Sequence, residues 1–150
     1  MTSGALAYSM PSTITVTSDI LGTLVVDPDS VLSFPRGLLG FPECRSFVLL
    51  PSERANVYWL QSVDYSALAF LLVDPFVFFE GYTLDLDATG LHAASPDEVS
   101  VLAIVTLPGA PGGRPTANLQ GPVVINARRN EGSQVVLPES SYGIREAFEL

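Results

Sequence analysis

The chain has 150 residues, 47% of them apolar and 15% charged, with sixteen carboxylates against seven cations for a formal net charge of −9. All seven cations are arginines and lysine is absent, which excludes Schiff-base and P-loop lysine chemistry, and the acidic excess opposes any grip on a phosphate backbone. A mean hydropathy of +0.35 excludes a disordered chain, and a domain of this length buries roughly two thirds of its surface around one core.

Residues 1–12 lack a basic stretch and an unbroken apolar run, being interrupted by Thr2, Ser3, Gly4, Ser9 and Pro11. They read as a flexible lead-in rather than a signal peptide, leaving 13–150 as one domain. Twelve prolines and twelve glycines are spread along the chain, so the segments between them are too short for ordinary helices of ~11 residues.

Short strands remain. Segments 13–17 and 22–26 are β-branched strand candidates, the second ending at Asp27-Pro28. Two prolines and two glycines make Phe34-Pro35-Arg36-Gly37-Leu38-Leu39-Gly40-Phe41-Pro42 a structured loop. A strand at 47–50 follows. The apolar runs 57–63 and 67–73, separated by Asp64-Tyr65-Ser66, have hairpin spacing and form the middle of the sheet. Asp74-Pro75 ends the second run, and Phe76, Phe78 and Phe79 follow. Tyr82, Leu84 and Leu86 alternate with Thr83, Asp85 and Asp87, the period of a strand with one wet face.

Ser95-Pro96-Asp97-Glu98 is a capping box that starts one helical turn. Segment 99–107 reads as a core strand, and 108–115 as a glycine- and proline-rich loop. Segments 117–120 and 123–126 flank Gly121-Pro122, a strand with a bulge or kink, since proline cannot donate to a ladder. Asn130-Glu131-Gly132 turns the chain into 134–137. The sum is an all-β fold, a small antiparallel β-barrel or sandwich-like barrel of many short strands with one or two short helical turns.

Few groups suit catalysis. His92 is the only histidine and Cys44 the only cysteine, too few for a triad or a zinc site. The lone thiol reads as a small buried apolar group in a reducing cytoplasm, and His92 as a loop or surface residue. Asp85 and Asp87 share one strand face about 7 Å apart, but no second wall of a cleft accompanies them. Arg128-Arg129 beside Glu131 reads as a solvated turn. No phosphate-cradling glycine motif occurs, and no apolar run reaches the ~18 residues of a membrane span. Asn118, Gln120 and Asn126 lie in otherwise apolar strands; they either order a kinked backbone or present donors and acceptors to a partner. The aromatic loop 34–42 and the run 76–79 either plug a barrel end or form an interface. The chain is not read as an enzyme, and no catalytic, cofactor or metal residues are assigned. A barrel holding an apolar ligand is the alternative to protein binding.

Several stretches carry a resemblance. Phe34-Pro35-Arg36-Gly37-Leu38-Leu39-Gly40-Phe41, Tyr58-Trp59-Leu60-Gln61-Ser62, Ala69-Phe70-Leu71-Leu72-Val73-Asp74-Pro75 with Phe78-Phe79 and Tyr82, 101–108, 116–126 and 134–137 resemble, in order, the flagellar assembly factor FliW family. The likeness spans about 14–145. It departs in the extra residues up to about Pro11 and in the loop 109–115, where acidic residues would be more usual. The resemblance implies a cytoplasmic regulator and chaperone, monomeric when free, that contacts neither nucleic acid nor membrane directly. Its partners would be the RNA-binding repressor CsrA, which it binds away from the RNA face to relieve repression of flagellin translation, and flagellin, which competes for it. On this reading a groove lined by Phe34, Leu38, Phe41, Phe78 and Phe79 receives an amphipathic flagellin helix. Asn118, Leu119, Gln120 and Asn126 are then the expected CsrA contacts.

Overall fold

A computed structural model describes residues 12–85, 98–137 and 142–150. It opens with an antiparallel hairpin of β1 (Ile14–Ser18) and β2 (Gly22–Val26), in register from Ile14 opposite Val26 to Ser18 opposite Gly22. Ile14, Val16 and Ser18 lie on the covered face while Thr15 and Thr17 are exposed, the period-2 division of the sequence pattern. A 3-10 turn, Pro28–Ser30, follows, with the Asp27 carboxylate accepting from the Asp29 N–H at 2.8 Å.

The remaining strands are β3 (Val31–Ser33), β4 (Ser46–Pro51), β5 (Val57–Ser62), β6 (Ala69–Val73), β7 (Val99–Thr106), β8 (Thr116–Ala117), β9 (Val123–Asn126), β10 (Glu131–Gln134) and β11 (Glu146–Ala147), with one short helix, α1 (Pro75–Phe78). Seven of them close a ring in the order β7-β6-β5-β4-β3-β10-β9 and back to β7. Every pairing is antiparallel except β10 with β3, which are parallel at Glu131 opposite Ser33. The expected central hairpin is β5–β6, paired from Val57 opposite Val73 to Gln61 opposite Ala69. The expected kink is also present: β8 and β9 lie along one edge of β7, with Ala117 opposite Val105 and Val123 opposite Leu102. Five residues, 118–122, bulge out where β7 has two, and Pro122 in that bulge needs no donor partner.

Two apolar clusters follow from alternation along these strands. Phe34, Phe47, Leu60, Leu72, Leu102 and Ile125 fill the barrel interior. The intervening residues Val73, Ala103 and Val105 join Val57, Tyr82, Ala117, Leu119 and Phe148 in a second cluster on the outer face, covered by α1 and the segment 142–150. Strands β6 and β7 are thus apolar on both faces, which is why they read as continuous hydrophobic runs.

The fold departs from the sequence reading in several places; of the expected segments 117–120 and 134–137, only Ala117 and Gln134 lie in strands. Residues 82–85 form no strand; Tyr82 is drawn into the second core, edge-on to Phe76 at 5.1 Å and tilted against Tyr142 at 4.8 Å, so its alternation reflects packing rather than a ladder. Asp74-Pro75 ends β6 and also starts α1, the Asp74 carboxylate capping the Phe76 N–H at 2.9 Å. The final turn lies at 127–130, with Asn130 in the left-handed region at φ 52°, so that Glu131 and Gly132 are already in β10. Strands β3 and β11, too short to show a period, were not anticipated. Leu86, Asp87, His92 and Ser95-Pro96-Asp97 lie outside the described residues.

Candidate functional site

The barrel interior is occupied by its own side chains: Phe34, Phe47, Leu60, Leu72 and Val123 are fully buried. These side chains take up the centre of the barrel, so recognition falls to its outer surface and its open end. Among the described residues no group of three or more histidine, cysteine or carboxylate side chains is placed to hold a metal, and no helix is long and apolar enough to cross a membrane. Cys44 is buried, and burial first, then the carboxylates of Glu43 and Asp64, push its thiol up, so it remains protonated and unreactive. Asp85 is exposed, while its expected partner Asp87 lies outside the described residues.

The five residues expected to line one groove are divided between the two cores. Phe34 is fully buried and packs edge-on to Phe47 at 5.0 Å; a Cβ at Gly132 would collide with its ring. Leu38 is 3% exposed, and Phe41 is half-buried against Phe70 at 5.4 Å. The loop 34–42 is therefore a plug, closed by the Leu38–Phe41 bridge and by Gly37, whose φ of +64° and contact with the Phe41 carbonyl leave no place for a side chain. Phe78 and Phe79 are half-buried on the other cluster, 5.7 and 5.2 Å from Phe148. Burial thus corrects the single-groove expectation: Phe34 and Leu38 cannot contact a partner in this structure.

The residues that do face outwards next to these plugs are Leu39, Phe76 and Val77, at 59%, 51% and 55% exposure. Phe76 borders a cleft of about 500 Å³ at the barrel end where β5 begins, lined also by Leu49, Tyr58, Leu84, Val101 and Leu102.

The amides resolve towards the backbone. The Asn118 side-chain carbonyl accepts from the Gly121 N–H at 2.8 Å, and that of Asn126 accepts from the Arg128 and Arg129 N–H groups at 3.1 and 3.2 Å. Gln120 joins through its main chain, donating to the Gly143 carbonyl and accepting from the Leu137 N–H, while Leu119 is buried in the second core. Sequence reasoning missed Gln134, which accepts from the Leu39 N–H and donates to the Gly121 carbonyl, both at 2.9 Å. These bonds join three distant segments around the bulge 118–122. Exposed Leu39, Val136 and Ile144 flank it, since Val135 and Leu137 donate to Pro122 and Gln120 and Gly143 accepts from Gln120. No period marked those three, because each sits in a loop or turn.

The family model described as FliW protein matches residues 15–148, the whole of this barrel and its flanking segments. The chain belongs to the FliW family. It is 37% identical over 131 residues to the flagellar assembly factor FliW of Natranaerobius thermophilus, covering 85% of this chain and 87% of that one. It is 42% identical over 125 residues to that of Bacillus licheniformis, covering 81% and 87%. A crystal structure of the flagellar assembly factor FliW superposes with a TM-score of 0.79 at 31% identity, covering 89% of this chain and 96% of that one. The expected family and the expected small β-barrel are both shown, and FliW proteins bear the description of an assembly factor rather than of an enzyme.

Proposed function

We propose that the protein is a non-enzymatic, cytoplasmic partner switch in flagellar assembly, binding the translational repressor CsrA to relieve repression of flagellin synthesis and binding flagellin as a chaperone. The observation that carries this reading is the end-to-end FliW match over 15–148 on a chain of net charge −9. A protein that antagonises an RNA-binding repressor gains from an acidic field, which attracts a basic surface and opposes RNA beside it. Among the described residues one ion pair is seen, Arg128 with Glu98 at 2.9 Å. With the interior filled, both partners must use the outside of the barrel.

For flagellin we assign the cleft beside α1. It is mostly apolar, with Leu49, Tyr58, Phe76, Leu84 and Val101 around Asp74 and Ser100, and exposed Val77 lies next to Phe76 on α1, which suits the apolar face of an amphipathic helix. Switching then needs only that one partner lower the affinity of the other. The test is a pull-down of the purified protein with CsrA and with flagellin, followed by release of CsrA on addition of flagellin. CsrA binding should weaken with salt; binding that is indifferent to salt overturns the electrostatic part of the reading, and binding to neither partner overturns all of it. Phe76→Asp should weaken flagellin binding without unfolding the chain.

A further inference from the structure

Three polar side chains are buried among the described residues, Ser18, Gln61 and Ser62, and all three shape one piece of surface. The Ser18 hydroxyl accepts from the Ile20 and Leu21 N–H groups at 3.2 and 2.9 Å, fixing the tip of the β1–β2 hairpin. The Ser62 hydroxyl accepts from the Asp64 and Tyr65 N–H groups at 3.2 and 3.0 Å, fixing the tip of the β5–β6 hairpin. Beneath the second tip the Gln61 amide donates to the carbonyls of Ser62, Tyr65 and Ser66 at 3.0, 3.3 and 3.4 Å, while its own Oε1 has no donor. The tips meet where the Asp19 N–H donates to the Ser66 carbonyl at 2.9 Å.

This scaffold displays side chains of two kinds. Ile20 and Tyr65 are 54% and 49% exposed, and Asp19 and Asp64 beside them are exposed carboxylates that form no ion pair among the described residues. Glu43 adds a third, since it and Asp64 both act on the Cys44 thiol below; Arg45, the cation next in sequence, forms no ion pair with them. We propose that the two tips form a preorganised docking surface for a basic protein partner, with Ile20 and Tyr65 as apolar anchors and Asp19 and Asp64 receiving the partner's cations.

The charge decides the occupant. Exposed apolar side chains alone would suit many proteins, but three carboxylates around them repel nucleic acid, anionic lipid and acidic proteins, and favour guanidinium or ammonium groups. Tyr65 stands on a backbone fixed by Ser62 and Gln61, and a tyrosine side chain has few rotatable bonds to freeze on binding, which is the usual character of an interface anchor. The inference rests on the function proposed above in taking CsrA as the basic partner, and it replaces the amides Asn118 and Asn126, already engaged by the chain's own backbone, as the CsrA contact.

The test is calorimetric titration of CsrA into the full chain at low and high salt. Tyr65→Ala and the pair Asp19→Asn with Asp64→Asn should each weaken binding at least about tenfold, the carboxylate pair also flattening the salt dependence. A control pair of equal charge at the opposite end of the barrel, Glu53→Gln with Glu80→Gln, should bind within about twofold of the unsubstituted protein, and all three variants should retain flagellin. Thermal unfolding confirms that each is folded. Undiminished binding by the tip variants, or a loss in the control as large as theirs, overturns this surface and leaves the proposed function standing. Failure of the unsubstituted protein to bind CsrA overturns both.

Discussion

Replacing Tyr82 by Phe should stabilise the protein, although it removes a polar group from a crowded aromatic cluster. The Tyr82 hydroxyl is buried in the second core with no hydrogen-bond partner, and such an orphan costs about 1–3 kcal/mol relative to its hydrated state in the unfolded chain. Phenylalanine keeps the ring contacts with Phe76 and Tyr142, so the expected gain at neutral pH is about 1 kcal/mol or more. A second consequence appears at high pH. Burial, with a smaller contribution from Tyr142, pushes the Tyr82 phenol from 10.0 up to about 12. Because the folded value is the higher one, the folded state holds the proton more tightly. Stability is therefore complete below pH 10 and lost progressively as pH rises from about 10 to about 12, by at most about 2.7 kcal/mol. Denaturant titrations of both proteins across this range should diverge in favour of Tyr82→Phe. Tyr142→Phe provides the contrast, since its hydroxyl accepts from the Thr83 N–H at 2.9 Å and its loss should cost about 1 kcal/mol. Should Tyr82→Phe lower stability by as much as Tyr142→Phe, the hydroxyl has a partner and the reasoning fails.

Three further substitutions test the packing. Gly132→Ala should destabilise by about 2–3 kcal/mol, because the added methyl meets the Phe34 ring; a neutral result in chemical denaturation would place that ring elsewhere. Gln134→Ala removes bonds to both Leu39 and Gly121 and should cost about 1–2 kcal/mol, with faster hydrogen exchange at the Leu39 amide as its local signature. Phe148→Ala opens a cavity between α1 and the barrel, where Phe148 is 4% exposed and touches Phe78 and Phe79; a loss of about 3–5 kcal/mol in the same titrations is expected.

The strands that were legible in the sequence are those with an unbroken run of apolar or β-branched residues bounded by turn residues. Segments 57–63 and 67–73 become β5 and β6 because both faces of that hairpin meet apolar neighbours, and 22–26 is recovered residue for residue. What misled is a residue whose partner is remote. Tyr82 and Leu84 alternate with polar neighbours, but they pack on the second apolar cluster instead of pairing with a neighbouring strand. Glu131 and Gly132 look like turn residues, yet Gly132 is needed inside β10 because Phe34, some hundred residues earlier in the chain, lies against its backbone. Neither constraint is local, so no window of the sequence contains it.

The candidate surfaces were harder to read for the same reason, acting in the opposite direction. In the loop 34–42, Leu38 and Leu39 are adjacent leucines, and only the bridge between Leu38 and Phe41 decides that the first is core and the second is surface. Polar residues carried the better signal. Serine and glutamine at Ser18, Gln61 and Ser62 interrupt apolar strands near hairpin ends, and each is buried with its hydrogen-bonding capacity directed at a turn. A buried amide without those bonds would be costly, so their presence fixes the tips in one conformation at the expense of apolar packing. Bonds of this kind hold other turns of the chain as well, at Asp27 and Asn126. Only here, though, do two held tips meet, at Asp19 and Ser66, where Ile20 and Tyr65 stand out from the barrel beside carboxylates that form no ion pair among the described residues.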